Sequence, residues 1–176
     1  MKRMLAVLLA ALPAGASAHA LDEYVQHALV AVGKDRIEIA MRLVPGVMVL
    51  SPVLDVIDRN GDRRLSRGEA RAYGALLQGD LRLVLDGKPV ALALGAVEMP
   101  QVNELKDGFG AIRVTLTAPA ASTAGPHRLE LTNRHQPKYS AYVVNSVQPN
   151  DKSVRIGRQQ RNANQSVYRL DYVRAP

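Results

Sequence analysis

Along most of the chain apolar and polar residues alternate one for one, and that period leaves little room for anything but β-structure. Successive side chains on a strand point to opposite faces, so alternation marks a strand with one face buried and the other wet. Ile37, Ile39, Met41 and Leu43 alternate with Arg36, Glu38, Ala40 and Arg42. Gly33-Lys34-Asp35 ahead of them reads as a hairpin turn from an earlier strand near Val25 to Val32. Leu81, Leu83 and Leu85 alternate as far as Asp86-Gly87, a two-residue turn signal, after which Val90, Leu92 and Leu94 return. Ile112, Val114 and Leu116 alternate with Arg113, Thr115 and Thr117, and Leu129 and Leu131 with Arg128, Glu130 and Thr132. Tyr139 to Val147 is rich in aromatic and β-branched residues, and Tyr168, Leu170 and Tyr172 share one face of a last strand. Short strands separated by turns predict a mainly β chain, an antiparallel sandwich or barrel, of which the sandwich is the preferred expectation.

One segment breaks the period. From about Pro52 to Gln78 the apolar spacing is helical, with Leu54 and Ile57 on one side of a polar stretch and Ala70, Tyr73, Leu76 and Leu77 on the other. The stretch itself, residues 58–69, reads Asp-Arg-Asn-Gly-Asp-Arg-Arg-Leu-Ser-Arg-Gly-Glu. That is the ligand spacing of one EF-hand calcium loop. Asp58, Asn60 and Asp62 take positions 1, 3 and 5. Arg64 offers its backbone carbonyl at position 7, Ser66 sits at position 9, and Glu69 closes the loop at position 12. A hard cation with six to eight oxygen ligands needs this alternation, and the last residue must be the longer carboxylate to chelate from the start of a helix. The expected architecture is therefore an antiparallel β-sandwich with an EF-hand helix–loop–helix inserted at about residues 50–78. Leu65, at position 8, would pair with a second hand; with no second loop of this spacing, it must pack on the sandwich or on a partner.

The loop departs from its pattern at position 6, where Arg63 replaces glycine. A non-glycine residue in that open conformation costs on the order of 1 kcal/mol. Arg59, Arg63, Arg64 and Arg67 also outnumber the three acidic ligands. A lone hand with these handicaps belongs at the weak, extracellular end of the range, with a Kd of about 10⁻⁴ to 10⁻³ M. Magnesium, which favours small octahedral sites that keep several waters, suits the loop less well.

The first residues read as address rather than fold. Lys2 and Arg3 form a basic start, Met4 to Leu12 an apolar run too short for a permanent span, and Ala16-Ser17-Ala18 a small-residue cleavage site. Residues 1–18 are thus an expected signal peptide and residues 19–176 a single domain, exported to the periplasm or secreted, with no membrane-spanning segment after cleavage. Ala18-His19-Ala20 also fits the rule, so the mature chain would begin at His19 or at Leu21. A chain of this length builds an ordinary core of its own. With no cysteine, it has neither disulfides nor thiolate metal ligands nor a cysteine nucleophile. The net charge of +7 gathers partly in Lys152, Arg155, Arg158, Arg161, Arg169 and Arg174. Export and the scarcity of interleaved aromatic residues make this a solvated basic face rather than a nucleic-acid site.

Two rival readings exist. A mature His19 would place a free amine beside an imidazole, a copper chelate that His27, His127 or His135 would complete. The loop would instead be vestigial if Asp58, Asp62 and Ser66 only bonded one another. No enzyme signature is present: no nucleophile elbow, no H-E-x-x-H and no phosphate-binding glycine loop. The chain is read as a non-enzyme.

Several segments, in order, carry a resemblance. They are His19-Ala20-Leu21-Asp22-Glu23-Tyr24 after the signal, Leu43-Val44-Pro45-Gly46-Val47, and the loop Asp58 to Glu69 followed by Ala70-Arg71-Ala72-Tyr73. Asp86-Gly87-Lys88-Pro89 follows, and then Asn133-Arg134-His135 leading into Tyr142-Val143-Val144-Asn145. The chain resembles exported bacterial EF-hand domain proteins related to the extracytoplasmic N-terminal region of HupE/UreJ-type membrane proteins. The resemblance implies a β-sandwich with a calcium hand that docks on a membrane-protein partner. The membrane helices of those longer relatives are missing here, so their transport role does not carry over.

Overall fold

A computed structural model describes residues 22–149 and 152–176. The expected signal peptide, its cleavage sites and the His19 motif lie outside the described residues. Among those described, the chain is mainly β, with two five-stranded sheets in which antiparallel pairing dominates. β1 (Tyr24–Val32) and β2 (Arg36–Pro45) form the expected hairpin, closed by the Gly33 N–H on the Arg36 carbonyl at 2.9 Å. Two helices follow, α1 (Leu50–Ile57) and α2 (Arg67–Asp80), before β3 (Leu81–Leu85) and β4 (Lys88–Val90). After them come β5 (Ala93–Glu98), a short α3 (Val102–Lys106), β6 (Ile112–Pro119) and β7 (Gly125–Asn133). β8 (Ser140–Ser146), β9 (Val154–Arg161) and β10 (Val167–Arg174) complete the described chain.

One sheet runs β5-β6-β2-β1-β8 and the other β4-β3-β7-β10-β9. β1 and β8 pair in parallel, the one departure among the described pairs from the all-antiparallel expectation. The period-2 residues fill the space between: Ile37, Ile39, Leu43, Ile112, Leu116, Leu129 and Leu170 are fully buried, and residues of both sheets join one apolar cluster. The expected return strand through Val90, Leu92 and Leu94 is really two. β4 pairs with β3, whereas β5 crosses to the other sheet and pairs with β6. α1 and α2 belong to the same cluster through Val53, Ile57, Tyr73 and Leu77, so the insertion is packed into the core rather than hung on it. Leu65 packs against that cluster too, which answers its need for a partner. No helix among the described residues is long and apolar enough to cross a membrane.

Candidate metal centre

The loop begins where α1 runs out of apolar sequence. The Asp58 N–H still bonds the Leu54 carbonyl at 2.7 Å, and the chain then turns through Gly61 at φ 72° and Arg63 at φ 60°. Gly61 reaches that region at no steric cost, while Arg63 carries a side chain there. The left-handed turn expected at position 6 is therefore made despite the missing glycine. Its N–H is used at once, on Asp58 Oδ2 at 2.9 Å.

Each polar side chain of the loop folds back on the backbone. Asn60 Oδ1 accepts from the Asp62 N–H at 3.0 Å, and Asp62 Oδ1 accepts from the Arg64 N–H at 2.8 Å. Asn60 Nδ2 donates to Asp62 Oδ2 at 3.1 Å. Ser66 and Glu69 form a capping box at the start of α2. The Ser66 hydroxyl accepts from the Glu69 N–H, and Glu69 Oε2 accepts from the Ser66 N–H at 3.0 Å and its hydroxyl at 2.7 Å. Glu69 Oε1 reaches back across the loop to the Arg59 N–H at 3.1 Å. These bonds hold the Glu69 carboxyl below the usual range, Ser66 contributing most and the amides of Asn60 and Arg59 less.

One oxygen of the loop stands apart. Asp58 Oδ1 is buried and accepts no hydrogen bond, the only carboxylate oxygen of the three acidic loop residues so placed. A buried oxygen with formal charge and no donor costs free energy unless a cation or water meets it. Asp58 also lines an open hollow of 490 Å³ with Val47, Leu50, Leu54, Arg63 and Lys106. The oxygen donor set suits a hard ion, and the orphaned oxygen at position 1 fits one. Against that, no three His, Asp or Glu side chains among the described residues converge closely enough to hold an ion as they stand. Asp62 and Glu69 are turned onto backbone N–H groups instead.

The histidines divide by what they touch. His27 is largely exposed on β1, and the partial desolvation of its ring, with the nearby Arg42 charge, lowers its pKa. His127 is buried with Nδ1 on Asp86 Oδ2 at 2.7 Å and Nε2 on the Thr123 carbonyl at 2.9 Å. His135 is fully buried, with Nδ1 on Asp80 Oδ2 at 2.8 Å and Nε2 on the Tyr73 hydroxyl at 2.8 Å. Both ring nitrogens of His127 and His135 are thus committed inside the fold. The Tyr73 hydroxyl in turn meets that of Tyr24. In the sequence Tyr73 falls in the apolar helix spacing, and nothing there pairs it with His135, 62 residues away. Only the spacing of Tyr73 and Asp80, two helical turns apart, carries a trace of the cluster.

No family model, curated protein or solved structure matches this chain.

Proposed function

We propose that this is an exported calcium-binding protein, a β-sandwich whose inserted EF-hand takes Ca²⁺ on Asp58, Asn60, Asp62, the Arg64 carbonyl, Ser66 and Glu69. The observation that carries the reading is Asp58 Oδ1, buried and unbonded at loop position 1 of a full ligand spacing. The left-handed backbone at Arg63 supports it, since a side chain is held there at a cost the capping box does not require. The resemblance to exported EF-hand domain proteins agrees with it and suggests a membrane-protein partner. Leu65 packs on the core instead of on a second hand, so a structural or docking role suits the insertion better than a groove-opening sensor.

A loop that binds nothing has an observation of its own. Every other carboxylate oxygen of Asp58, Asp62 and Glu69 already accepts a hydrogen bond. Thermal unfolding in EDTA and in millimolar Ca²⁺, beside Glu69→Gln, separates the two. Occupation at ten times Kd adds about 1.4 kcal/mol, a rise of a few degrees for a chain this size. The rise should vanish in Glu69→Gln; equal melting in EDTA and calcium would leave the vestigial reading standing.

A further inference from the structure

We infer that the chain Tyr24–Tyr73–His135–Asp80, buried except at the half-exposed Asp80, is a proton-linked latch that holds α2 against the sheets and thereby sets the calcium affinity of the loop at the other end of that helix. The coupling rests on the calcium reading; the latch does not. Tyr73 and Asp80 both lie on α2, whose first turn carries Glu69. Tyr24 comes from β1, and His135 from the loop between β7 and β8.

The loop side of the latch is fixed. The His135 carbonyl accepts from Gln26 Nε2 at 3.0 Å, the Tyr142 hydroxyl at 3.0 Å and the Ser140 hydroxyl at 3.1 Å. The His135 N–H bonds Asn133 Oδ1 at 2.9 Å, and Asn133 Nδ2 bonds Gln26 Oε1 at 2.9 Å. A shift of His135 would therefore break bonds to three strands, β1, β7 and β8, so α2 is clamped to something that does not yield.

The proton count decides what the latch responds to. The charged and titratable groups facing His135 are the Asp80 carboxylate and the hydroxyls of Tyr73, Tyr24 and Tyr142. With a neutral imidazole, Nδ1–H donates to Asp80, Nε2 accepts from Tyr73, and the Tyr73 oxygen accepts from Tyr24. Every donor then has an acceptor. A protonated imidazole must donate from Nε2 as well, which turns the Tyr73 hydroxyl round to donate to Tyr24. The Tyr24 hydroxyl, fully buried with Tyr73 as its partner, is left with a proton and no acceptor. Burial works in the same direction and holds the His135 pKa below the ordinary value, against the pull of Asp80. Protonation therefore loosens α2 from the sheets. By reciprocity, an ion that orders the start of α2 drives the proton off His135.

Histidine ring NMR on the whole chain tests this, with His27→Gln to assign the exposed ring. In EDTA the His135 ring should titrate below the ordinary value, about 6.5. Millimolar Ca²⁺ should move that midpoint lower still, and calcium should bind more weakly at pH 5.5 than at 7.5. An ordinary midpoint in EDTA would overturn the latch. A low midpoint that calcium leaves in place, while calcium still raises the melting temperature, would overturn the coupling alone. A low midpoint with no calcium effect on melting would sink the calcium reading and the coupling with it, and leave the latch.

Discussion

Arg63 and His127 each hold a conformation or a charge state that their residue type does not favour, and each leaves a measurable mark. At φ 60° a side chain costs about 1–3 kcal/mol, whereas glycine is at ease there but loses about 0.4–1 kcal/mol of stability through a freer unfolded chain. Arg63→Gly should therefore match or exceed the parent in melting temperature, and Arg63→Val, stiff at its β-carbon, should fall below both. Equal melting of the two variants would mean residue 63 is not left-handed. For His127, burial lowers the pKa, but the Asp86 carboxylate and the Thr123 carbonyl outweigh it and hold the net value above the ordinary one. A raised folded pKa gives stability that is full below the unfolded value, about 6.5, and is lost as pH rises through the folded one. As pH rises above about 6.5 the parent should thus lose stability relative to Asp86→Asn. A melting difference between the two that stays constant from pH 6 to pH 9 would exclude this. His127 is in phase with Leu129 and Leu131, which places it on the core-facing side of that strand. That phase does not name its partner Asp86, which comes from a turn 41 residues away.

At the scale of elements, the hairpin turn pointed to β1, and aromatic and β-branched richness to β8. The alternating period announced β2, β3, β6, β7 and β10, β7 short of its first residues, because each has one face in the core and one in water. It was silent on β9, an edge strand whose residues from Gly157 to Arg161 are exposed on both faces. It also ran β4 and β5 together, since crossing between sheets leaves the apolar spacing of Val90, Leu92 and Leu94 unchanged. The EF-hand spacing of residues 58–69 was legible; the capping box and the orphaned oxygen were not, because both depend on side-chain rotamers. The edge left by β8 is closed by a residue of the other sheet: Arg161 Nε donates to the Val144 carbonyl at 2.7 Å. α2 is held in two different ways along its length, and its glycines separate them. A Cβ at Gly74 would lie 2.6 Å from Val97 Cγ2 on β5, a branched side chain with little freedom to yield. Gly79 in the same helix has nothing within 4 Å. Alanine gains about 1 kcal/mol in a helix interior, while overpacking costs about 1–3 kcal/mol. Gly79→Ala should raise the melting temperature and Gly74→Ala lower it. Alanine stabilising at both positions would mean α2 does not pack on β5 as closely as this.

For the whole molecule the question is whether the helical insertion unfolds with the sheets or before them. Loops and ligand-bearing segments commonly belong to the least stable part of a protein. Here the loop is exposed, but the two helices it joins are not peripheral. Val53, Ile57, Tyr73 and Leu77 are buried in the cluster that also holds Ile39, Leu116, Leu131 and Tyr168 from the two sheets. The latch adds polar bonds between α2, β1 and the β7–β8 loop on top of that apolar contact. Opening the insertion alone would expose this shared core and strand the buried partners of His135, so local opening costs nearly as much as unfolding the whole. The helices report in far-ultraviolet dichroism. The buried Tyr24, Tyr73, Tyr168 and Tyr172 report on packing in both sheets and α2 in the near-ultraviolet, undisturbed by tryptophan, which the chain lacks. The two signals should trace one urea transition. Leu77→Ala, at a fully buried helix position, should move that single transition by about 2–5 kcal/mol without splitting it. A helical signal lost at lower urea than the tyrosine signal, in the parent or in Leu77→Ala, would show the insertion to be a separate cooperative unit.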